Sequence, residues 1–259
     1  MKPARLLSFL LLVFFFSGCA IIKQDRFEWP RIKGDDELIV HTYYALTYND
    51  ENNVANWAAY SLTEEETRPF VSRKYNYKAD TLVNSGTAEY DDYRGSGYDR
   101  GHLVPARDML FNETASSEVN YMSNIAPQTP AFNRGIWRSL EIKVRKYAIK
   151  YDSVMVVCGP FLKKGLARIG RENKITVPDK YFKALLVHND TVTESIAFVI
   201  PNYKNKAHFK ESLNEYAVNI NELEKLTDLD FWPMLRRRNE RKAEKAYNLE
   251  FWQLDKEAD

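Results

Sequence analysis

The chain has 259 residues, which is long enough for one large domain with a sizeable core or for two small domains. Hydrophobic residues make up 44% of it and charged residues 28%, and no segment is repetitive, which excludes a solenoid or a largely disordered protein. The formal net charge is only +1, so any site for a polyanion has to be a local cluster of basic side chains.

The N-terminal segment has the pattern of an export signal. Lys2 and Arg5 precede an apolar run over residues 6–16. At ~1.5 Å per residue this run is too short to cross a bilayer core of about 30 Å, but it suits the core of a signal peptide. The small residues directly before Cys19 resemble a bacterial lipobox, and a plain secretory signal is the alternative.

These features predict a signal peptide over residues 1–18, lipidation of Cys19, a polar tether over residues 19–37 and one folded domain over residues 38–259. We therefore expect an exported protein whose lipid anchors it to a bacterial cell envelope. Ala20, rather than aspartate, follows the cysteine and favours an outer membrane where the cell has one. The domain would face the periplasm or the exterior.

Cysteine and histidine content restricts the chemistry of the domain. Cys158 is the only cysteine after Cys19, so no disulfide can form within the domain. It ends the apolar run 154–158, which is typical of a buried strand and indicates a structural role. With two cysteines and four histidines, and no pair at ligand spacing, the sequence does not favour a zinc site.

Hydrophobic periodicity predicts an α+β domain built on a central antiparallel or mixed sheet flanked by helices. Alternating large residues predict strands over 38–48 and 54–62, followed by a loop-rich segment over 63–97. One apolar stripe, with Ile136, Leu140 and Val144 on it, predicts a helix over Asn133–Tyr151. Further strands are predicted near 153–158, 180–188 and 191–200, and a second amphipathic helix over 213–225.

Three short segments carry candidate chemistry. The first is Asp99-Arg100-Gly101-His102, in which the glycine would permit a tight backbone bend that presents the imidazole. The second is residues 123–128, Ser-Asn-Ile-Ala-Pro-Gln, where Pro127 favours extended backbone at the residue before it. Each segment alone is weak evidence of a site.

The third segment is residues 132–141, Phe-Asn-Arg-Gly-Ile-Trp-Arg-Ser-Leu-Glu. In a regular helix, Asn133, Trp137, Glu141 and Arg145 would share one face, since four residues turn by about 400°. Asn133 and Glu141 would be separated by roughly 12 Å along the axis, so they could share a metal ion only through water.

Together, the segments DRGHLVPARDM, SNIAPQ and FNRGIWRSLE resemble the DNA/RNA non-specific endonuclease family in order and separation. Further similarity appears in the segments VVCGP, which contains Cys158, and LTDLDF. The resemblance covers residues 40–232. It implies the ββα-metal nuclease fold and identifies the domain over 38–259 as a nuclease domain.

The resemblance also implies roles for individual residues. His102 corresponds to the general base, and Asn133 to the only direct protein ligand of a Mg²⁺ ion, for which Mn²⁺ could substitute. Glu141 resembles the carboxylate that acts on this ion through water. Asn124 resembles the residue that steadies the site.

Arginines that hold the substrate phosphate correspond to Arg100 and Arg145, where a guanidinium fork can make two parallel bonds. Arg73 is our choice for a further phosphate-binding residue, and Arg68 is the alternative. The implied reaction is metal-dependent hydrolysis of the phosphodiester bonds of DNA and RNA without sequence selectivity.

Two other interpretations remain open. The protein could be a more selective phosphodiesterase, or a catalytically silent nucleic-acid-binding lipoprotein of the same fold. His41, His188 and His208 lie outside the three segments and are interpreted as non-catalytic. The basic run over 236–245 is interrupted by acidic residues at helical spacing, which favours a solvated helix face over a nucleic-acid contact.

Overall fold

The computed structural model describes residues 26–34 and 36–254. The strands in this part of the chain are β1 (Glu37–Val40), β2 (Ala45–Asn49), β3 (Val54–Thr63), β4 (Asp99–His102), β5 (Ile125–Gln128), β6 (Ser153–Pro160), β7 (Arg168–Ile169), β8 (Ile175–Thr176), β9 (Lys180–His188), β10 (Thr193–Pro201) and β11 (Ala217–Val218). Its α-helices are α1 (Glu113–Glu118), α2 (Arg138–Tyr151), α3 (Ile220–Thr227), α4 (Arg237–Lys245) and α5 (Leu249–Trp252). A π-helical turn, Phe132–Trp137, leads into α2.

A seven-stranded antiparallel sheet in the order β1-β2-β3-β6-β9-β10-β11 forms the centre of the molecule. Both of its faces are buried, since side chains alternate between two cores along each strand. On β9, Tyr181 and Leu185 belong to the larger core, whereas Phe182 and Leu186 belong to the smaller one. The predicted α+β class with a central antiparallel sheet is confirmed.

Helix α2 and the two-stranded sheet β4–β5 lie on the side of the larger core. Leu140, Val144 and Ala148 of α2 are fully buried there, as the predicted apolar stripe requires. Helices α3 and α4 contribute Ile220, Leu223 and Ala243 to the smaller core on the opposite face. The sheet is thus the middle of three layers, and α2 is separated from α3 and α4 by it.

The prediction of one strand over 38–48 is wrong, because the chain turns back on itself and pairs β1 with β2. Within this turn the His41 N–H donates to the Tyr44 carbonyl at 2.9 Å. The Thr42 N–H and hydroxyl donate to the Glu118 carboxylate at 2.9 and 2.8 Å. A side chain distant in sequence therefore stabilises a turn that lacks glycine, proline and asparagine.

The prediction of a helix over 213–225 is correct only in its second half. Residues Leu213–Tyr216 form a 3₁₀ turn and β11 follows it, so α3 begins at Ile220. Asn219 caps the helix through its side chain, which accepts from the Glu222 N–H at 2.9 Å. The carboxylate of Glu222 accepts from the Asn219 N–H in return, and this capping box defines the start.

The other predicted strands are confirmed. Strands β3, β6, β9 and β10 occupy the segments in which strands were expected, and β9 and β10 form a hairpin. The segment over 63–97 is loop with 3₁₀ turns at Glu65–Thr67 and Tyr90–Tyr93. Cys158 is fully buried on β6, and its thiol donates to the Leu103 carbonyl at 3.1 Å.

The described part of the predicted tether packs against the domain. Trp29 is buried in the smaller core, and the Arg31 N–H donates to the Asp230 carbonyl at 2.8 Å. Glu37, which we placed in the tether, pairs with Tyr48 in the first strand pair. Cys19 and the signal peptide over 1–18 lie outside the described residues, so both stay predictions. No helix in the described ranges is long and apolar enough to cross a membrane.

The basic run near the C terminus forms α4 on the face of the sheet opposite α2. Ala243 packs into the smaller core, and the Lys242 ammonium donates to the Glu194 carboxylate at 2.9 Å. The basic side chains that flank these contacts are exposed, as a solvated helix face requires.

Candidate active site

One open cleft lies between β4, the start of α2 and the loop that precedes β4. Most of its lining is charged or aromatic: Arg73, Arg100, Arg107, Arg134, Arg138, Arg145, Asp99, Glu141, His102, Asn133, Tyr75, Tyr77, Tyr90 and Tyr98. The structure thus brings together six of the seven candidate site residues of the domain. Asn124 is the exception.

His102, the last residue of β4, is buried with 7% of its surface exposed. Its Nε2 lies 3.3 Å from the Asn120 Oδ1. The Asn120 amide nitrogen donates to the Ser116 carbonyl at 2.8 Å and to Asn76 Oδ1 at 3.3 Å, so the amide oxygen faces the ring. A neutral imidazole that donates from Nε2 carries its lone pair on Nδ1.

Burial, with a smaller contribution from the Arg73 guanidinium, lowers the pKa of His102 from 6.5 to about 4. The lower pKa keeps the imidazole neutral, which is the form that accepts a proton, throughout the neutral pH range. It also means that a protonated imidazole at this position would need a nearby anion to stabilise it.

Gly101 is required for a different reason from the one we predicted. It lies within β4 and pairs with Ala126, so the backbone is extended there and makes no tight bend. A Cβ at this position would lie 2.2 Å from the side chain of Gln128, which is fully buried. The glycine therefore makes room for Gln128 between the two strands of the hairpin.

Asn124 does not line the cleft but stabilises the backbone that follows His102. Its Oδ1 accepts from the Val104 N–H at 2.9 Å, and its Nδ2 donates to the carbonyls of Val104 and Val119 at 3.0 and 2.9 Å. Its own carbonyl accepts from the Leu103 N–H at 3.0 Å. Asn124 is fully buried, so its side chain contacts the backbone around His102 and does not reach the cleft.

The π-helical turn changes the face that we predicted for α2. Gly135 has φ −106° and ψ −113° inside this turn, so the regular helix begins only at Arg138. Trp137 is fully buried against Phe132 and Tyr181 and does not share a face with Asn133. Asn133, Glu141 and Arg145 nevertheless reach the same cleft.

Asn133 is held by Asp99, the first residue of β4. Its Nδ2 donates to Asp99 Oδ2 at 2.9 Å, and Arg134 donates to both oxygens of the same carboxylate at 2.8 and 2.6 Å. These bonds lower the pKa of Asp99, against the effect of burial. Because the amide nitrogen is occupied, the Asn133 Oδ1 is the atom available for a cation.

Glu141 lies partly buried on α2 and carries an unusual carboxyl group. Its pKa is raised from 4.5 to about 7, because the effect of burial, together with that of the Asp108 carboxylate, outweighs the charges of Lys183, Arg145 and Arg73, which lower it. In the metal-free protein the carboxyl group is therefore balanced between its two protonation states near neutral pH.

Lys183 of β9 is fully buried beneath α2. Its Nζ lies 4.5 Å from the centroid of the Trp137 ring and has no hydrogen-bond partner among the described residues. It pairs in register with Cys158 and faces the larger core, as the alternation along β9 requires. Lys183 was not predicted to lie near the site, because the sequence of a strand does not show which distant element packs against a given residue of it.

Arg145 is fixed by a buried carboxylate. Its Nη1 donates to Asp108 Oδ1 at 2.6 Å, and the Tyr60 hydroxyl donates to Asp108 Oδ2 at 2.9 Å. Asp108 is fully buried, and 16% of the Arg145 side chain is exposed. The ion pair with Asp108 thus fixes the orientation of the Arg145 guanidinium, which also borders the cleft.

Arg100 uses part of its predicted fork within the protein. Its Nε and Nη2 donate to the Tyr90 carbonyl at 3.1 and 2.6 Å, and Nη1 takes no part in these bonds. Arg73 lines the cleft, whereas Arg68 donates to Glu64 at 2.6 Å and does not. Of the two upstream arginines, only Arg73 lines the cleft, and its role toward phosphate stays a prediction.

Several polar residues of the cleft and of its support were not predicted. Arg107, Arg134 and Arg138 line the cleft. Asp99 holds the side chain of Asn133, and Asn120 holds that of His102. Asp99, Arg134 and Arg138 lie within the three candidate segments, so their presence there was the available signal. Asn120 had none, since its role depends on the fold of residues 116–124.

The other three histidines lie outside the cleft lining. His41 is buried and lies 2.9 Å from Asp80, His188 lies 2.8 Å from the Thr193 hydroxyl, and His208 contacts Tyr203 edge-on. Their non-catalytic interpretation stays a prediction.

The donor set fits a hard divalent cation that keeps most of its water. Asn133 Oδ1 and the Glu141 carboxylate are oxygen donors without hydrogen-bond partners among the described residues, and both border the same cleft. In residues 26–34 and 36–254 no group of three or more His, Cys, Asp and Glu side chains could hold a metal ion. Mg²⁺ needs few protein ligands and prefers oxygen, so one amide oxygen with water suffices.

A histidine at the end of one hairpin strand, facing a helix whose entry carries an oxygen ligand, defines the class of the ββα-metal nucleases. Comparison with known proteins agrees. Residues 30–238 match the DNA/RNA non-specific endonuclease family, and the chain belongs to it.

Individual relatives show the extent of the similarity. Mitochondrial nuclease EXOG is 31% identical in Danio rerio and 32% in Homo sapiens; these matches cover 82% and 78% of this chain but 65% and 58% of those proteins. The nuclease of Serratia marcescens is 31% identical, with 75% of this chain and 74% of that protein matched.

A crystal structure of the EndoG/EndoGI complex, which concerns the mechanism of EndoG inhibition, is also similar. Its TM-score is 0.71, with 27% sequence identity, and the match covers 80% of this chain and 89% of that one.

Proposed function

We propose that this protein is an endonuclease that hydrolyses phosphodiester bonds of DNA and RNA with a divalent cation, Mg²⁺ or Mn²⁺, and without sequence selectivity. One observation carries the proposal. His102, Asn133 and Glu141 border one cleft together with six arginines, so a base, a cation site and phosphate-binding groups are combined.

His102 is the general base in this proposal. Its Nε2–H is held by Asn120, so Nδ1 takes the proton from the attacking water. Its lowered pKa keeps it ready to do so at neutral pH.

Arg73, Arg100 and Arg145 neutralise the charge that builds on the phosphate oxygens. Asn133 would hold the cation and Glu141 would orient its water, and the cation would supply additional charge stabilisation. Among these groups, those that contact substrate recognise phosphate rather than base edges, which supports weak sequence selectivity.

The site of action is a further part of the proposal. A signal peptide over 1–18 and a lipid on Cys19 would place the domain on the cell envelope, in the periplasm or outside. The support is the sequence pattern before Cys19.

A plasmid-nicking assay with purified protein tests the activity. Parent protein with Mg²⁺ should convert supercoiled DNA to nicked and then linear DNA and should degrade RNA, and EDTA should stop both reactions. His102→Ala should lower turnover by roughly 10²–10⁴, the usual contribution of a positioned base. A protein that binds DNA without cleaving it would instead be the silent binding module.

A further inference from the structure

The loop before β4 lines one side of the cleft with tyrosines. Tyr75, Tyr77, Tyr90 and Tyr98 all border it. Two of them are unusually exposed for aromatic residues: 68% of Tyr75 and 47% of Tyr90 is accessible. These two rings are therefore only partly packed within the protein.

Cationic groups cover part of each exposed ring. The Arg73 guanidinium carbon lies 4.7 Å from the Tyr75 ring centroid, and that of Arg100 lies 3.5 Å from the Tyr90 ring centroid. At about half exposure or more, each ring still presents a broad apolar surface beside a phosphate-binding cation. Such pairs of basic and aromatic side chains are typical of surfaces that bind unpaired nucleic acid.

A third tyrosine, Tyr77, lies between Tyr90 and the candidate general base His102. The Tyr77 ring centroid lies 5.6 Å from that of His102 and 5.9 Å from that of Tyr90. A strand with its phosphate at His102 would thus have adjacent bases within reach of these rings.

We propose that Tyr75 and Tyr90 stack on unpaired bases next to the scissile phosphate, which makes single-stranded nucleic acid the preferred substrate class. This inference rests on the proposed function and adds its strand preference. Every base has a π-face, so stacking is tolerant of sequence. A base inside a duplex has both faces covered, so it must leave the stack before a side chain can reach it.

Binding to matched oligonucleotides tests the inference in a His102→Ala background, in which cleavage is suppressed. A single strand that carries 2-aminopurine should bind with a fluorescence change, and its affinity should exceed that for the corresponding duplex. Tyr75→Ala and Tyr90→Ala should each lower single-strand affinity about 10-fold, within the range for one stacked base, and leave duplex affinity nearly unchanged.

Three controls distinguish stacking from other effects. Tyr75→Phe and Tyr90→Phe keep the ring and should keep the affinity. Tyr203→Ala removes a tyrosine with 41% exposure outside the cleft lining and should change neither affinity. Loss of Tyr90 could also release Arg100, but this would weaken single-strand and duplex binding equally.

Equal losses on both substrates, no loss on either, or no strand preference in the parent would overturn the inference. Cleavage by the parent protein is measured separately on both substrates. Failure to cleave either one would contradict the proposed function, whereas cleavage of both at equal efficiency would contradict only the strand preference.

Discussion

The Lys183 ammonium lies 4.5 Å from the centroid of the Trp137 ring and has no hydrogen-bond partner among the described residues. A buried cation held this way is costly unless nearby charge compensates it. Its charge acts on Glu141, where it is the largest of the electrostatic effects that lower the pKa of the carboxyl group. The lysine thus supports an ionised carboxylate at the cleft from the opposite side of α2.

We therefore expect Lys183→Met to separate stability from activity. Methionine has similar length and no charge, so the melting temperature should stay the same or rise. Activity should fall about 10-fold or more, with a higher Mg²⁺ requirement, because Glu141 loses its compensating charge. Melting curves and nicking rates against Mg²⁺ concentration check both expectations. An active variant with unchanged metal dependence would contradict this role for Lys183.

Stability of the metal-free protein should depend on pH through Glu141. Its folded pKa of about 7 exceeds the ordinary value of 4.5, so the folded state binds more protons between these pH values. The resulting stability is present below about pH 4.5 and is lost as pH rises through 7. Glu141→Gln cannot lose a proton, so its advantage in melting temperature over the parent should grow from pH 5 to pH 8 in EDTA.

The comparison with Glu141→Gln cancels the pH dependence of stability that other groups contribute equally to both proteins. The pKa of Glu224 is raised to about 7, mainly by burial, whereas that of His102 is lowered. Both residues remain in the variant. A difference in melting temperature that is constant with pH would show that Glu141 has an ordinary pKa.

His102 should remain neutral in the metal-free protein well below the pH at which a free histidine becomes charged. Nitrogen-detected NMR of the imidazole should show the Nε2–H tautomer, with protonation only near pH 4. Asn120→Asp would add a charge beside the ring and should raise the pKa of His102. A midpoint near 6.5 in the parent protein would contradict the effect of burial.

The sequence predicted best those features that depend on neighbouring residues. Strands β6, β9 and β10 are short, largely apolar runs, so their positions could be predicted. The turn between β1 and β2 was not predicted, because the Glu118 carboxylate that stabilises it is remote in sequence. The start of α3 was misplaced because the apolar pattern begins several residues before Asn219. The capping box of Asn219 and Glu222 was the local signal for the correct start.

For the site, two of the three candidate segments contained residues that line the cleft, but their geometry was not predicted. The π-helical turn before α2 inserts extra backbone, which buries Trp137 and breaks the regular four-residue spacing from Asn133. Apart from Asn124, the residues that support the site could not be predicted. Lys183, Asp108 and Asn120 acquire their roles only when distant elements pack together.

Lipidation at Cys19 stays a prediction that a labelling experiment can decide. Cells that express the parent protein should incorporate labelled palmitate into it, whereas Cys19→Ser should not be labelled. Equal labelling of both proteins would contradict the lipid anchor. Export without labelling of either would instead support a plain secretory signal.

Asp99 and Asn133 together determine how the cleft would hold a cation. Asp99 accepts a hydrogen bond from the Asn133 amide nitrogen at 2.9 Å, which would leave the amide oxygen for a cation. Asn133→Ala removes that oxygen, so Mg²⁺ or Mn²⁺ affinity should collapse and activity should fall with it. Asp99→Asn keeps the ligand but loosens it. Loss of a group that orients a metal ligand typically costs 10- to 100-fold in affinity or activity.

Both losses should act through one ion, so the double variant should be no worse than Asn133→Ala alone. Calorimetric titration with Mn²⁺ and nicking rates against Mg²⁺ concentration would be measured for the parent, both single variants and the double variant. Arg134→Gln is the matched control, since it removes the other partner of Asp99 but leaves the bond to Asn133. If it reproduced the whole effect of Asp99→Asn, the carboxylate would act by holding Arg134. Losses that multiply in the double variant would mean that Asp99 does not act through Asn133, and an unchanged Mn²⁺ affinity in Asn133→Ala would remove the cation from the entry of α2.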